Sequence, residues 1–175
     1  MAVPARSAYP PWSWIADGLA AGLVASTAHW IAYHAMTALA EGEPLEPSRY
    51  MASVLLGRDA FDDPQRVGAL VVLAVGVVGH LLVSLPWSLV FVKLAHELPA
   101  WFASPERSLL TGAAWGLVVW VASVYVLTPA VGMVWFADQE PATLAAVHLV
   151  FGSTLGLATW ARVGLAAERA PVVGA

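Results

Sequence analysis

This sequence predicts an all-α polytopic membrane protein, a four-transmembrane-helix bundle with a short interfacial helix in its first loop. Composition is the first observation: 59% of the 175 residues are hydrophobic and 11% are charged, against roughly 25% charged in an ordinary soluble domain. That is too little charge to cover a water-facing surface. The second is that the apolar residues gather in four runs, each long enough to cross a hydrocarbon core of about 30 Å at ~1.5 Å per residue. Hydrocarbon offers no partners to backbone N–H and C=O groups, so each run must be helical. A chain of this length reads as a single membrane domain, residues 1–175.

The spans are expected at 15–40, 67–94, 109–136 and 142–161. Ala38-Leu39-Ala40 has the small-x-small form of a signal-peptide cleavage site. The apolar stretch 18–40 before it is longer than the roughly 7–15 residues of a signal core, however, and is expected to be an anchor. Helix starts are marked at Asp63-Pro64, Ser104-Pro105-Glu106 and Glu140-Pro141, each with a polar or acidic side chain before a proline at the first helical position. In the first loop, 41–66, residues 47–56 read as a helix ended by Gly57. Tyr50, Met51, Val54 and Leu55 share one face, predicted to lie on the membrane surface. The other connections are short, which makes consecutive helices antiparallel neighbours. Pro86 and Pro129 each remove a backbone donor and predict kinks in the second and third spans, with Ser84 and Ser88 placed to satisfy freed groups near Pro86.

Charge sets the expected orientation. Arg6, Lys93, Arg107, Arg162 and Arg169 lie at the end shared by both termini, against Arg49, Arg58 and Arg66 in an acid-rich first loop. Positive charge stays inside, so both termini are predicted to be cytoplasmic, in the cytoplasmic membrane of a prokaryote. Trp12, Trp14, Trp101 and Trp160 fall at that same end, as an interfacial belt would.

Three stripes of small residues predict close helix packing: Gly18-x-x-x-Gly22 continuing to Ser26, Gly112-x-x-x-Gly116, and Gly152-x-x-x-Gly156. A flat stripe lets a second helix, in this chain or a partner, gain dispersion contacts that lipid cannot match. A short echo, Gly79-His80-Leu81-Leu82 against Val147-His148-Leu149-Val150, suggests two related helical hairpins.

The chemical lead is histidine. His29, His34, His80 and His148 lie inside the predicted spans and His96 at an edge. Polar side chains in a span face the bundle interior or a cavity. The ordinary role of each imidazole is a hydrogen bond across a helix contact. The alternatives are axial ligation of haem b, binding of copper or zinc, or contact with a quinone, a lipid or a proton path. Matching depth selects His29 with His80, or His34 with His148, as haem pairs. Residue counting places His80 and His148 about 10 Å apart in depth at ~1.5 Å per residue.

Other chemistry is not encoded in recognisable form. The sequence has no cysteine, hence no thiolate metal site and no thiol nucleophile. No acidic residue lies deep in a span, and no serine triad, HExxH or phosphate-binding loop appears. No enzyme is expected, no nucleic acid partner, and no cofactor beyond the haem b alternative.

The last span, His148-x-x-Phe151-Gly152-x-x-Leu155-Gly156, resembles the final helix of a group of uncharacterised prokaryotic four-helix membrane proteins. Those proteins also have a first helix similar to Gly18-Leu-Ala-Ala-Gly22-Leu and a third ending in Pro-x-x-Gly, as Pro129 to Gly132 does here. The resemblance covers the four spans and carries no activity. The expected function is therefore a non-catalytic accessory or assembly subunit of a larger prokaryotic membrane complex, a respiratory one foremost. The alternatives are a haem- or metal-binding electron-transfer subunit and a small transporter or channel. The partners expected are the lipid bilayer and other membrane subunits or further copies of the chain.

Overall fold

The computed structural model describes residues 12–63 and 67–164. The expected cap at Asp63-Pro64, the cations Arg6, Arg66 and Arg169 and the last residues of the chain fall wholly or partly outside them. Among the described residues the chain is all helical. It comprises α1 (Ser13–Leu39), α2 (Glu46–Leu56), α3 (Asp59–Asp62), α4 (Ala69–Glu97), α5 (Pro105–Val121) and α6 (Pro141–Thr159). Wider π-type turns extend α5 through Ala122–Leu127 into Thr128–Ala130, and α6 through Trp160–Gly164. Four of these helices are long and apolar enough to cross a membrane: Ser13–Leu39, Ala69–Glu97, Pro105–Ala130 and Pro141–Gly164. Leu70, Leu110 and Val131 are 82%, 69% and 68% exposed. The bundle thus turns apolar side chains outward, as a chain solvated by lipid does and a soluble monomer rarely does over so wide an area.

The ends of the helices follow local chemistry. Ser104 accepts a hydrogen bond from the Arg107 N–H at 3.3 Å and starts α5. Glu140 accepts from the Ala142 and Thr143 N–H groups and starts α6. Those two bonds also hold its carboxyl below the usual glutamate range. Gly57 closes α2 at φ +75°, a conformation that disfavours any residue with a Cβ.

The prolines behave differently from one another. α4 runs unbroken through Pro86. Ser84 and Ser88 donate to the carbonyls of His80 and Ser84, not to the Leu82 carbonyl that the proline frees. Before Pro129 the helix instead widens to a π-type stretch, with the Thr128 N–H reaching back to Ser123 and its hydroxyl donating to the Val124 carbonyl at 2.8 Å. The helix ends at Ala130 rather than near Phe136, because Gly132 at φ +82° turns the chain into a 3-10 turn, Val134–Asp138.

α1 and α6 form the centre of the bundle. α1 packs on α4 and α6, and α6 packs most extensively on α5. Second and third helices, expected as antiparallel neighbours, meet through large side chains rather than along their backbones. Their seam is bridged by rings, with Trp87 against Trp115 at 5.9 Å, Phe91 against Trp115 at 5.8 Å and Phe91 against Phe102 at 5.2 Å. A short connection fixes which elements follow each other, but the glycines on α6 give α5 a closer partner than α4 offers.

α2 packs across α4, where the Ser48 carbonyl sits 2.7 Å from the place a Cβ on Gly76 would occupy, and the Met51 carbonyl abuts Gly79 in the same way. Tyr50 is buried against Phe61 and Phe136. Burial, reinforced by the charges of Glu46 and Asp138, pushes its hydroxyl up to about 12, so it stays neutral. At the opposite end, Asp17 ties three helix ends together. It accepts from His96 Nε2 of α4 at 3.3 Å and from Arg162 Nε beyond α6 at 2.8 Å.

Candidate functional site

Gly18, Ala21, Gly22, Ala25, Ser26, His29, Tyr33 and Thr37 are the buried residues of α1, and their three- and four-residue spacing makes one face. Its lower half seats α4: a Cβ on Gly18 would stand 2.8 Å from the Leu89 side chain, and one on Gly22 would stand 2.7 Å from that of Ser88. Its upper half carries the imidazole of His29 to the point where α1, α4 and α6 converge. There the His29 ring centroid is 4.9 Å from that of His80 on α4 and 4.8 Å from that of His148 on α6. The depth difference expected between His80 and His148 does not keep them from one neighbour, since both reach the same ring.

The glycines of α5 and α6 set the place of His148. A Cβ on Gly112 would fall on the Gly152 carbonyl oxygen, and one on Gly116 on the carbonyl oxygen of His148 itself. Reciprocally, a Cβ on Gly152 would fall on the Gly112 carbonyl and one on Gly156 on the Ser108 carbonyl. These four glycines face each other inside the chain.

Each neighbouring imidazole has one nitrogen committed. His80 Nε2–H donates to the Ser26 carbonyl at 3.0 Å, and His148 Nδ1–H donates to the Leu144 carbonyl at 2.8 Å. A carbonyl only accepts, so the neutral rings carry their protons on those atoms and bare lone pairs on His80 Nδ1 and His148 Nε2. His29 Nε2 is buried without a hydrogen-bond partner. Ser26 Oγ and Ser84 Oγ pair at 2.7 Å beneath the cluster and tie α1 to α4.

The three rings line a cavity of about 80 Å³. Met51 and Val54 of α2 and Phe136 and Gln139 of the last loop close it on one side, with Trp87, Ser123 and Phe151 elsewhere in its wall. Gln139 is buried and accepts from the Tyr33 hydroxyl while donating to the Phe136 carbonyl. Ser123 Oγ is buried without a partner. Among the described residues, no carboxylate borders this cavity. The interior is therefore neutral and rich in acceptors, with space for an ion or a few waters. It lies far below the ~300–1,000 Å³ of ordinary ligand pockets. His29 and His80, a pair expected to hold haem b, stand in ring contact, with no gap for a macrocycle between them.

His34 is not part of the cluster. Its Nδ1–H donates to the Pro44 carbonyl at 2.9 Å and its Nε2 accepts from Ser48 Oγ at 3.2 Å, so it fastens the first loop to α1. The pairing of His34 with His148 is thus not made. His96 binds Asp17 at the other end. The sequence gives no sign of Ser123 or Gln139 in the site, and places Met51 only on the face of α2 expected at the membrane surface. The face that carries His29 would have pointed to Tyr33, whereas Gln139, between two acids in a short loop, gives no local signal of burial.

No family model matches the chain, and neither a curated protein nor a solved structure is found to match it.

Proposed function

We propose that this chain is a non-catalytic integral membrane subunit that docks alongside other helices in a larger prokaryotic membrane complex, with respiratory complexes the first to examine. The observation that supports this reading most is the α4–α5 seam. It opens outward as a groove of about 490 Å³ floored by Phe91, Phe102 and Trp115 and edged by Leu94, Leu98 and Leu110. Exposed apolar surface alone would mean only lipid, because lipid is as apolar as leucine. A concave gap between helices is different, since a helix seated in it gains packing contacts that mobile acyl chains do not hold. The glycine stripes are occupied within the chain, which leaves this seam as the face for a partner. The neutral interior, without a carboxylate or thiol at the cavity, supports a role without catalysis. Both termini are placed in the cytoplasm by this reading, with Lys93, Arg107 and Arg162 on the inner side.

The chain lacks cysteine, so single thiols report cleanly. Leu110→Cys in the groove should cross-link in native membranes to one membrane protein identified by its peptides. Val24→Cys, exposed on α1, should not. Equal labelling at both positions, or adducts with lipid alone at Leu110, would remove the docking role.

A further inference from the structure

The cluster of His29, His80 and His148 has the features of a metal shell rather than of three unrelated helix contacts. His80 and His148 each hold one ring N–H on a backbone carbonyl. That is the arrangement by which proteins fix the tautomer of a metal-ligating histidine and leave its other nitrogen bare. His29 lies between them with Nε2 buried and unpartnered. Imidazoles that share one ion at a metal–nitrogen distance of ~2.0–2.1 Å have ring centroids roughly 5 Å apart. The separations of 4.9 and 4.8 Å from His29 to its two neighbours match that spacing for two of the three pairs. Among the described residues no three donors surround a single point, so binding requires the rings, which border a cavity with room for an ion, to rotate towards it.

We propose that His29, His80 and His148 bind a single monovalent copper ion, with the Met51 thioether of α2 available as a fourth donor from the cavity wall. Two arguments select the ion. The donor set is imidazole and thioether with no carboxylate at the cavity, which suits Cu(I) and excludes the oxygen-seeking Mg²⁺ and Ca²⁺. Among the described residues no carboxylate at the cavity balances a bound cation, and the cost of burying charge rises with its square, so a monovalent ion is far less penalised than Zn²⁺ or Cu²⁺. A structural or stored copper in a non-catalytic subunit is compatible with the docking reading and does not rest on it.

The test uses the full chain purified in detergent and titrated with Cu(I) under anaerobic, reducing conditions against a colorimetric Cu(I) chelator. One copper per chain is expected. His29→Ala and His148→Ala should weaken its retention roughly tenfold or more, while His34→Ala should retain it as the wild type does. Wild-type protein that holds no copper, variants that all hold it equally, or tighter binding of Zn²⁺ would each overturn the assignment. The alanine variants empty buried positions, so X-ray absorption on the loaded wild-type protein supplies a readout that needs no substitution. Imidazole back-scattering from two or three ligands supports the site, and a shell lacking imidazole overturns it.

Discussion

On one side of α5, Gly112 and Gly116 let the backbone of α6 come into contact, so that a single added methyl would strike a carbonyl oxygen. On the other side Trp115 meets Trp87 and Phe91 of α4 ring to ring, at 5.9 and 5.8 Å, and holds the two helices apart. Both sides are apolar, and in lipid neither is driven shut by exclusion of water. The difference is one of shape. Where side chains vanish, the helices gain dense dispersion contacts along their backbones. Where they are large rings, a few edge-to-face contacts hold the pair and leave a groove beneath. One contact makes α5 and α6 a rigid unit, while the other leaves α4 joined to α5 only through α1, α6 and the ring bridge.

The largest expected effect attacks the glycine side. Gly152→Ile with Gly156→Ile forces branched side chains into the Gly112, Gly116 and Ser108 backbones. Overpacking of an ordinary core costs about 1–3 kcal/mol, and here the obstacles are carbonyls that cannot rotate away, so the upper end or more is expected. Thermal melting in detergent should show loss of the folded transition or a much lower Tm. An unchanged melt would mean that the α5–α6 contact does not hold the bundle.

A smaller effect is expected at the seam. Trp87→Ala and Trp115→Ala should each destabilise modestly, and a double-mutant cycle should return a coupling of about 0.5–1.5 kcal/mol for the ring pair. The α5–α6 contact should survive in both variants, tested by hydrogen-exchange protection of the amides beside Gly112 and Gly152. If the cycle shows strict additivity, the rings are neighbours without being a bridge.

The smallest effect lies at the start of α6. Glu140 is held below its usual range by the N–H groups of Ala142 and Thr143. A carboxyl with a lowered folded value stabilises the helix start fully above the ordinary glutamate range, and that contribution fades as pH falls through the folded value. Protection factors at Ala142 and Thr143, taken against the intrinsic exchange rate at each pH, should therefore fall on acidification, while amides beside Gly152 stay protected. Protection independent of pH, or Glu140→Gln behaving as wild type at every pH, would show that the cap adds nothing.

Several features were legible because they depend on local chemistry. The apolar runs, the caps at Ser104 and Glu140 and the stop at Gly57 each follow from a few adjacent residues. The third helix was drawn too long because Val131, Met133 and Val134 are apolar, and only the left-handed turn at Gly132 shows where the axis breaks. In the site, the periodicity of α1 places His29 on the same face as Gly22 and Ser26, but nothing near His34 in sequence says that it turns to the Pro44 carbonyl instead.

By itself the sequence determined that four helices form and are apolar enough to cross a membrane, because length, composition and backbone satisfaction act within each segment. It also placed four histidines inside the expected spans, His29, His34, His80 and His148, where no carboxylate lies deep. Only the tertiary structure decided which helices touch. α5 chose α6 over its chain neighbour α4, α2 sank onto Gly76 and Gly79, and His29 met both His80 and His148. Those outcomes depend on shape matched between segments distant in the chain, and periodicity within one helix carries no information about the surface it will meet.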